Sequence, residues 1–125
     1  MKILVTGATG FVGSVLVPQL IRSFGADSVG VYVLPGDRLP ETWRSEAVEI
    51  FRGDINDSEG VARACRGRSH VIHLAGLISY WRRDYGRLMR VNRDGVRCVV
   101  EACLDGETAR GIYKPHAGER PLWDF

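Results

Sequence analysis

Residues Lys2 to Gly13 read KILVTGATGFVG. Ile3-Leu4-Val5 is a short, continuous, β-prone apolar run, which suits a strand buried on both faces. Three glycines follow at intervals of three: Gly7, Gly10 and Gly13. Beyond them Val12, Val15, Leu16, Leu20 and Ile21 recur at helical spacing as far as Phe24. A strand, a glycine-rich turn and a helix N-terminus together make an anion site, because unpaired N–H groups and the positive end of the helix dipole face the same point. Gly7 permits a turn with positive φ. Gly10 lets backbone approach a pyrophosphate, and Gly13 lets the helix pack closely. The spacing Gly-x2-Gly-x2-Gly differs from the general Gly-x-Gly-x2-Gly pattern, and no Gly-Lys-Ser/Thr of a P-loop follows. A glycine turn with no ligand is the competing reading. The strand-to-helix context argues against it.

Outward from this stretch, strands and helices alternate. Val29–Leu34 reads as a second strand, residues 40–46 as a short helix, and Val48–Phe51 as a third strand ending at Gly53-Asp54. Ser58–Cys65 reads as a helix and His70–Ala75 as a fourth strand. A long helix is expected from about Asp84 to Leu104, with Leu88, Val91, Val96, Val99, Val100 and Cys103 as its apolar face. Such alternation implies βαβ units, a parallel doubly wound sheet and ligands at the carboxyl ends of its strands. After Leu104 the periodicity ends, and residues 105–125 read as an irregular tail.

The 125 residues suffice for one domain with a modest core. Lysine and arginine total 17 against 15 acids, a net charge of +2 with no basic stripe, so nucleic acid is not the expected partner. Cys65, Cys98 and Cys103 are odd in number and lack metal-ligand spacing, which points to a reduced, cytoplasmic protein. No run approaches the roughly 18 apolar residues of a membrane span, and the start lacks the pattern of a signal peptide. His70 and His73 lie three apart on a strand and therefore on opposite faces, so no metal site is expected.

Thr6-Gly-Ala-Thr-Gly-Phe-Val-Gly13 resembles the signature of extended short-chain dehydrogenases/reductases, the NAD-dependent epimerase/dehydratase group. Three further stretches match in order. Gly53-Asp54-Ile55 resembles the acidic turn that meets the adenine amino group. His73-Leu74-Ala75-Gly76 resembles the stretch lining the nicotinamide ribose, and Val91-Asn92-Arg-Asp-Gly95 resembles the family's asparagine motif. The resemblance implies a Rossmann-type NAD(P)-binding domain over residues 1–104, truncated to about four strands. It implies cofactor contacts from Gly7, Thr9, Gly10, Phe11, Val12, Gly13, Asp54, Ile55, Leu74, Ala75 and Gly76, with Asn92 in support. Asp54 as a turn cap and Asn92 as a plain backbone ligand are the structural alternatives. The end of the second strand normally carries an acid for NAD or an arginine for NADP. Leu34 does neither job, and Asp37 and Arg38 point in opposite directions, so either coenzyme fits. The aromatic and basic stretch Ser79–Arg83 reads as pocket wall or as plain surface.

The family's proton donor is a tyrosine with a lysine four positions later, and a donor is what hydride transfer at a carbonyl needs. Tyr32, Tyr80, Tyr85 and Tyr113 are followed at that distance by Gly36, Asp84, Met89 and Ala117. The expectation is therefore an NAD(P)-binding fragment of a truncated or frameshifted reductase or epimerase, with no catalytic residue and inactive alone. A non-enzymatic NAD(P)-binding or interaction module is the alternative. A missing fifth strand would leave strand four as an edge, so self-association through that strand or the long helix is expected. Ile112, Tyr113, Leu122, Trp123 and Phe125 could cover part of the bare surface.

Overall fold

The computed structural model describes residues 1–105 and 110–113. In chain order the elements are β1 (Ile3–Thr6), α1 (Phe11–Phe24), β2 (Val29–Val33), α2 (Glu41–Ser45), β3 (Glu49–Arg52), α3 (Ser58–Cys65), β4 (His70–His73), α4 (Tyr85–Met89), α5 (Gly95–Asp105) and β5 (Arg110–Tyr113). The strands form one sheet in the order β3-β2-β1-β4-β5, with every neighbouring pair parallel. This is the expected Rossmann-type α/β fold. The winding reverses between β1 and β4, and a crevice lies there outside the carboxyl ends of the strands.

Burial follows the two-residue period of a strand covered on both sides. From β1, Ile3 and Val5 face a cluster with Val17 of α1, Trp43 of α2, and Val29, Val31 and Val33 of β2. Leu4 faces the other way, toward Val61, Ala64 and Cys65 of α3 and Val99, Ala102 and Cys103 of α5. Cys65 and Cys103 are both buried as free thiols within that second cluster. Arg68 is buried beneath the sheet edge. It ion-pairs with Glu49, donates to the Ala64 carbonyl at 3.2 Å and lies 5.5 Å from the Phe51 ring centre. Among the described residues no helix is long and apolar enough to cross a membrane.

Three expectations are corrected. The sheet has five strands where about four are expected. Residues 110–113, read as irregular, pair in parallel with β4, Ile72 opposite Ile112 and His73 opposite Tyr113. Four residues suffice to meet the N–H and C=O groups that β4 would otherwise expose, so β4 is not an edge. The long helix is not one regular α-helix either. A turn of π-helix at Arg90–Asp94 separates α4 from α5. Within α5, Val99 and Cys103 are buried as expected, Ala102 is buried beside them, and Val100 is exposed at the margin of that face. The covering roles expected of Leu122, Trp123 and Phe125, and of the side chains of Ile112 and Tyr113, lie outside the described residues.

Candidate functional site

At the switch point a cleft of about 450 Å³ opens along the carboxyl ends of β1, β2, β3 and β4. Its floor is the glycine loop. Gly7 has φ +65°, and a Cβ there would stand 2.5 Å from the Ala75 amide nitrogen. The loops after β1 and β4 can touch only because position 7 carries no side chain. Thr6 seats the same junction. Its hydroxyl lies 2.6 Å from His73 Nδ1 and accepts from the Leu74 and Ala75 amides at 3.2 and 3.3 Å. A Cβ at Gly13 would meet the Ala8 carbonyl oxygen at 2.5 Å, so this glycine lets α1 start directly against the loop. No side chain caps α1, whose N-cap is Gly10. The first-turn N–H groups are thus left for a ligand, and a Cβ at Gly10 would meet only the Gly7 oxygen, at 3.2 Å. The loop therefore has the open, donor-rich shape that fits a pyrophosphate.

Acidic groups stand on the β2 and β3 side. The half-buried Asp37 carboxylate accepts from the Thr9 hydroxyl at 2.8 Å and from the Leu34 amide at 3.1 Å, which fixes it in the cleft wall. Arg52 donates to the carbonyls of Leu34, Pro35 and Asp37, each at 3.1 Å, and so clamps that turn. Arg38 is exposed and outside the cleft lining. Asp54 lines the cleft, with Oδ1 accepting from the Asn56 amide at 2.8 Å. The cap of α3 is Asp57, which accepts from the Gly60 amide. Beneath this turn Tyr32 donates to the Asp54 carbonyl at 2.9 Å. Burial, with the nearby Asp57 carboxylate second, pushes the Tyr32 phenol up to about 12.

The opposite wall comes from the segment after β4. Asn92, in the π turn, donates to the Leu77 carbonyl and accepts from the Leu77 amide, both at 2.8 Å. Asn56 donates to the Arg90 carbonyl at 2.8 Å. Gly95 lets α5 rest on Ile55, since a Cβ there would stand 2.8 Å from Ile55 Cγ2.

Of the residues singled out in the sequence, Gly7, Thr9, Gly10, Asp54, Ile55, Leu74, Ala75 and Gly76 line one cleft. Phe11 and Val12 are exposed and Gly13 is buried; these three sit in the first turn of α1 rather than in the lining. Asn92 lies behind the wall and holds its backbone. Tyr80 and Trp81 are exposed outside the cleft, with Arg83 stacked 5.2 Å from the Trp81 ring. Sequence reasoning missed Thr6, Tyr32, Arg87 and Arg90. Thr6 carries a legible signal, a polar residue closing an apolar strand. Nothing in the sequence distinguishes Tyr32 or Arg87 from ordinary strand and surface residues.

A parallel doubly wound sheet with a glycine-loop cleft at its switch point defines a Rossmann-type nucleotide-binding protein. Comparison with known proteins narrows the class. Residues 4–118 match the model of the 3-beta hydroxysteroid dehydrogenase/isomerase family, and the chain belongs to that family. It is 36% identical over 99 residues to a ceramide reductase of Caulobacter vibrioides, covering 78% of this chain and 29% of that protein. It is 30% identical over 102 residues to the 3 beta-hydroxysteroid dehydrogenase/Delta 5-->4-isomerase of monkeypox virus, covering 81% and 30%. A crystal structure of a short-chain dehydrogenase/reductase superfamily protein from Agrobacterium tumefaciens with bound NAD superposes with a TM-score of 0.73 at 29% identity, over 90% of this chain and 32% of that one. The chain thus spans about 30% of the length of these curated relatives.

Proposed function

We propose that this chain is the dinucleotide-binding part of an NAD-dependent oxidoreductase or epimerase of the extended short-chain dehydrogenase/reductase type. The observation that carries the reading is the single cleft uniting the glycine loop, the Asp37 carboxylate, the Asp54 turn and residues 74–76 at the switch point. Gly10 and the start of α1 would hold the pyrophosphate, Asp54 and Ile55 the adenine, and residues 74–76 the nicotinamide ribose. The bound cofactor supplies or accepts hydride. This chain's residues bind and orient it, and Asn92 keeps the Leu77 backbone in place beside it. NAD is the favoured coenzyme. A carboxylate held by Thr9 and the Leu34 amide suits a ribose 2′-hydroxyl and repels a 2′-phosphate, while Arg38 stands outside. The 125 residues contain no Tyr-x3-Lys pair, so these residues alone supply no proton donor of the family's type.

Calorimetry on the purified chain tests the reading. NAD should bind, NADP at least about tenfold more weakly, and Gly10→Val should abolish both. Equal binding of NAD by Gly10→Val would show that the pyrophosphate lies elsewhere. Self-association is part of the same proposal, now through α5 rather than β4, because Val100 and Leu104 are exposed on it. Light scattering that finds only monomer at high concentration would remove it.

A further inference from the structure

The cleft contains two arginines that neither its winding nor its glycine loop explains. Arg87 of α4 and Arg90 at the start of the π turn both line it. They stand three residues apart, hence on one helical face. Among the described residues, the ion pairs are Arg68 with Glu49 and Arg93 with Asp94, so neither cleft arginine is in a contact ion pair; the one carboxylate that feels Arg90 is Asp94, which is bonded to Arg93. The Asn56 side chain fixes the Arg90 carbonyl, which pins this part of the wall to the turn after β3. The Arg90 guanidinium lies over Gly86, with Nη1 3.9 Å from where a Cβ would stand there. Across the cleft, the glycine loop offers backbone N–H groups but no cationic side chain, and the other charged lining groups are the carboxylates of Asp37 and Asp54.

We propose that Arg87 and Arg90 form a cationic wall that clamps the dinucleotide pyrophosphate from the side opposite the glycine loop. This rests on the cofactor reading above. A pyrophosphate carries about two negative charges, and the partial charge at one helix end, about half a unit, leaves most of that uncompensated. Two carboxylates in the same cleft worsen the balance. Guanidinium groups supply full charges and paired donors that match phosphate oxygens. Both arginines are exposed, so they can adjust to the ligand without disturbing the core.

The test uses the whole chain and NADH fluorescence, with ADP-ribose and adenosine as competitors. In the double variant Arg87→Gln, Arg90→Gln the Kd for NADH and ADP-ribose should rise about ten- to a hundredfold, the range for hydrogen bonds to charged groups. Competition by adenosine, which has no phosphate, should be unchanged. The parent's affinity should fall with added KCl more steeply than the variant's. Arg87→Lys, Arg90→Lys keeps the charge and should retain most of the affinity. Parental ADP-ribose binding by the glutamine variant, with the parent binding normally, overturns the clamp and leaves the cofactor reading intact. Equal loss of adenosine overturns it in favour of stacking on the base. Failure of the parent to bind NADH or ADP-ribose overturns both. Superimposable melting curves of parent and variants exclude misfolding as the cause.

Discussion

Replacing Gly7 by alanine adds one carbon at the point where the two halves of the fold meet. The added Cβ would lie 2.5 Å from the Ala75 amide nitrogen, 2.7 Å from its Cα and 2.7 Å from the Leu74 carbonyl carbon. All three are backbone atoms, so no side chain can swing aside. The residue must also hold φ +65°, which costs a non-glycine residue about 1–2 kcal/mol. Forcing an atom into a filled space adds about 1–3 kcal/mol. The sum, about 2–5 kcal/mol, is a large part of the about 5–15 kcal/mol that holds a domain together. For a chain of this size it corresponds to a drop in Tm of about ten degrees or more. The same displacement pushes Ala75 and Gly76 away from the loop, so any retained nucleotide affinity should fall as well. The assay is a thermal and urea melt of Gly7→Ala beside a control, Gly36→Ala. A Cβ at Gly36 has no heavy atom within 4 Å and no positive φ to satisfy, so that variant should melt with the parent. A Gly7→Ala protein melting within about two degrees of the control would refute the close approach of the loops, and the switch-point cleft with it.

Other outcomes follow from the same geometry. Tyr32 holds its proton to about pH 12 in the fold against a reference of 10.0. The stability this provides is intact below pH 10 and is lost as pH rises from there toward 12. Absorbance titration near 295 nm should show one tyrosine ionising late, and Tyr32→Phe should remove that late step. Asn92→Ala deletes two hydrogen bonds to Leu77 and should cost about 1–3 kcal/mol, with hydrogen exchange at the Leu77 amide sharply faster in NMR spectra. Trp43→Ala empties a site that is 2% exposed beneath the sheet and should cost about 3–5 kcal/mol by denaturant titration. Asp37→Asn should narrow the preference for NAD over NADP by about tenfold in calorimetry, since it removes the repelling charge but keeps the bond to Thr9.

The local code of this chain reaches as far as the residues that act through their neighbours in sequence. Ile3–Val5 followed by three spaced glycines fixes a strand, a tight turn and a helix start, because backbone sterics at glycine and the two periods of apolar residues are properties of short windows. The alternation of such windows also fixes the parallel sheet. Other features depend on what arrives from far along the chain. Trp43 looks like a surface residue of a short polar helix and becomes core only because α2 packs on β2. The π turn at Arg90–Asp94 is invisible to a 3.6-residue count, yet it carries Asn92, whose side chain bonds both backbone groups of Leu77. Asp37 and Arg38 are adjacent and opposite in charge. Only Asp37 lines the cleft, where the hydroxyl of Thr9, 28 residues away, bonds its carboxylate. The strand at 110–113 forms because β4 presents an open row of hydrogen-bonding groups, a demand that belongs to the assembled sheet and to no stretch of sequence read alone.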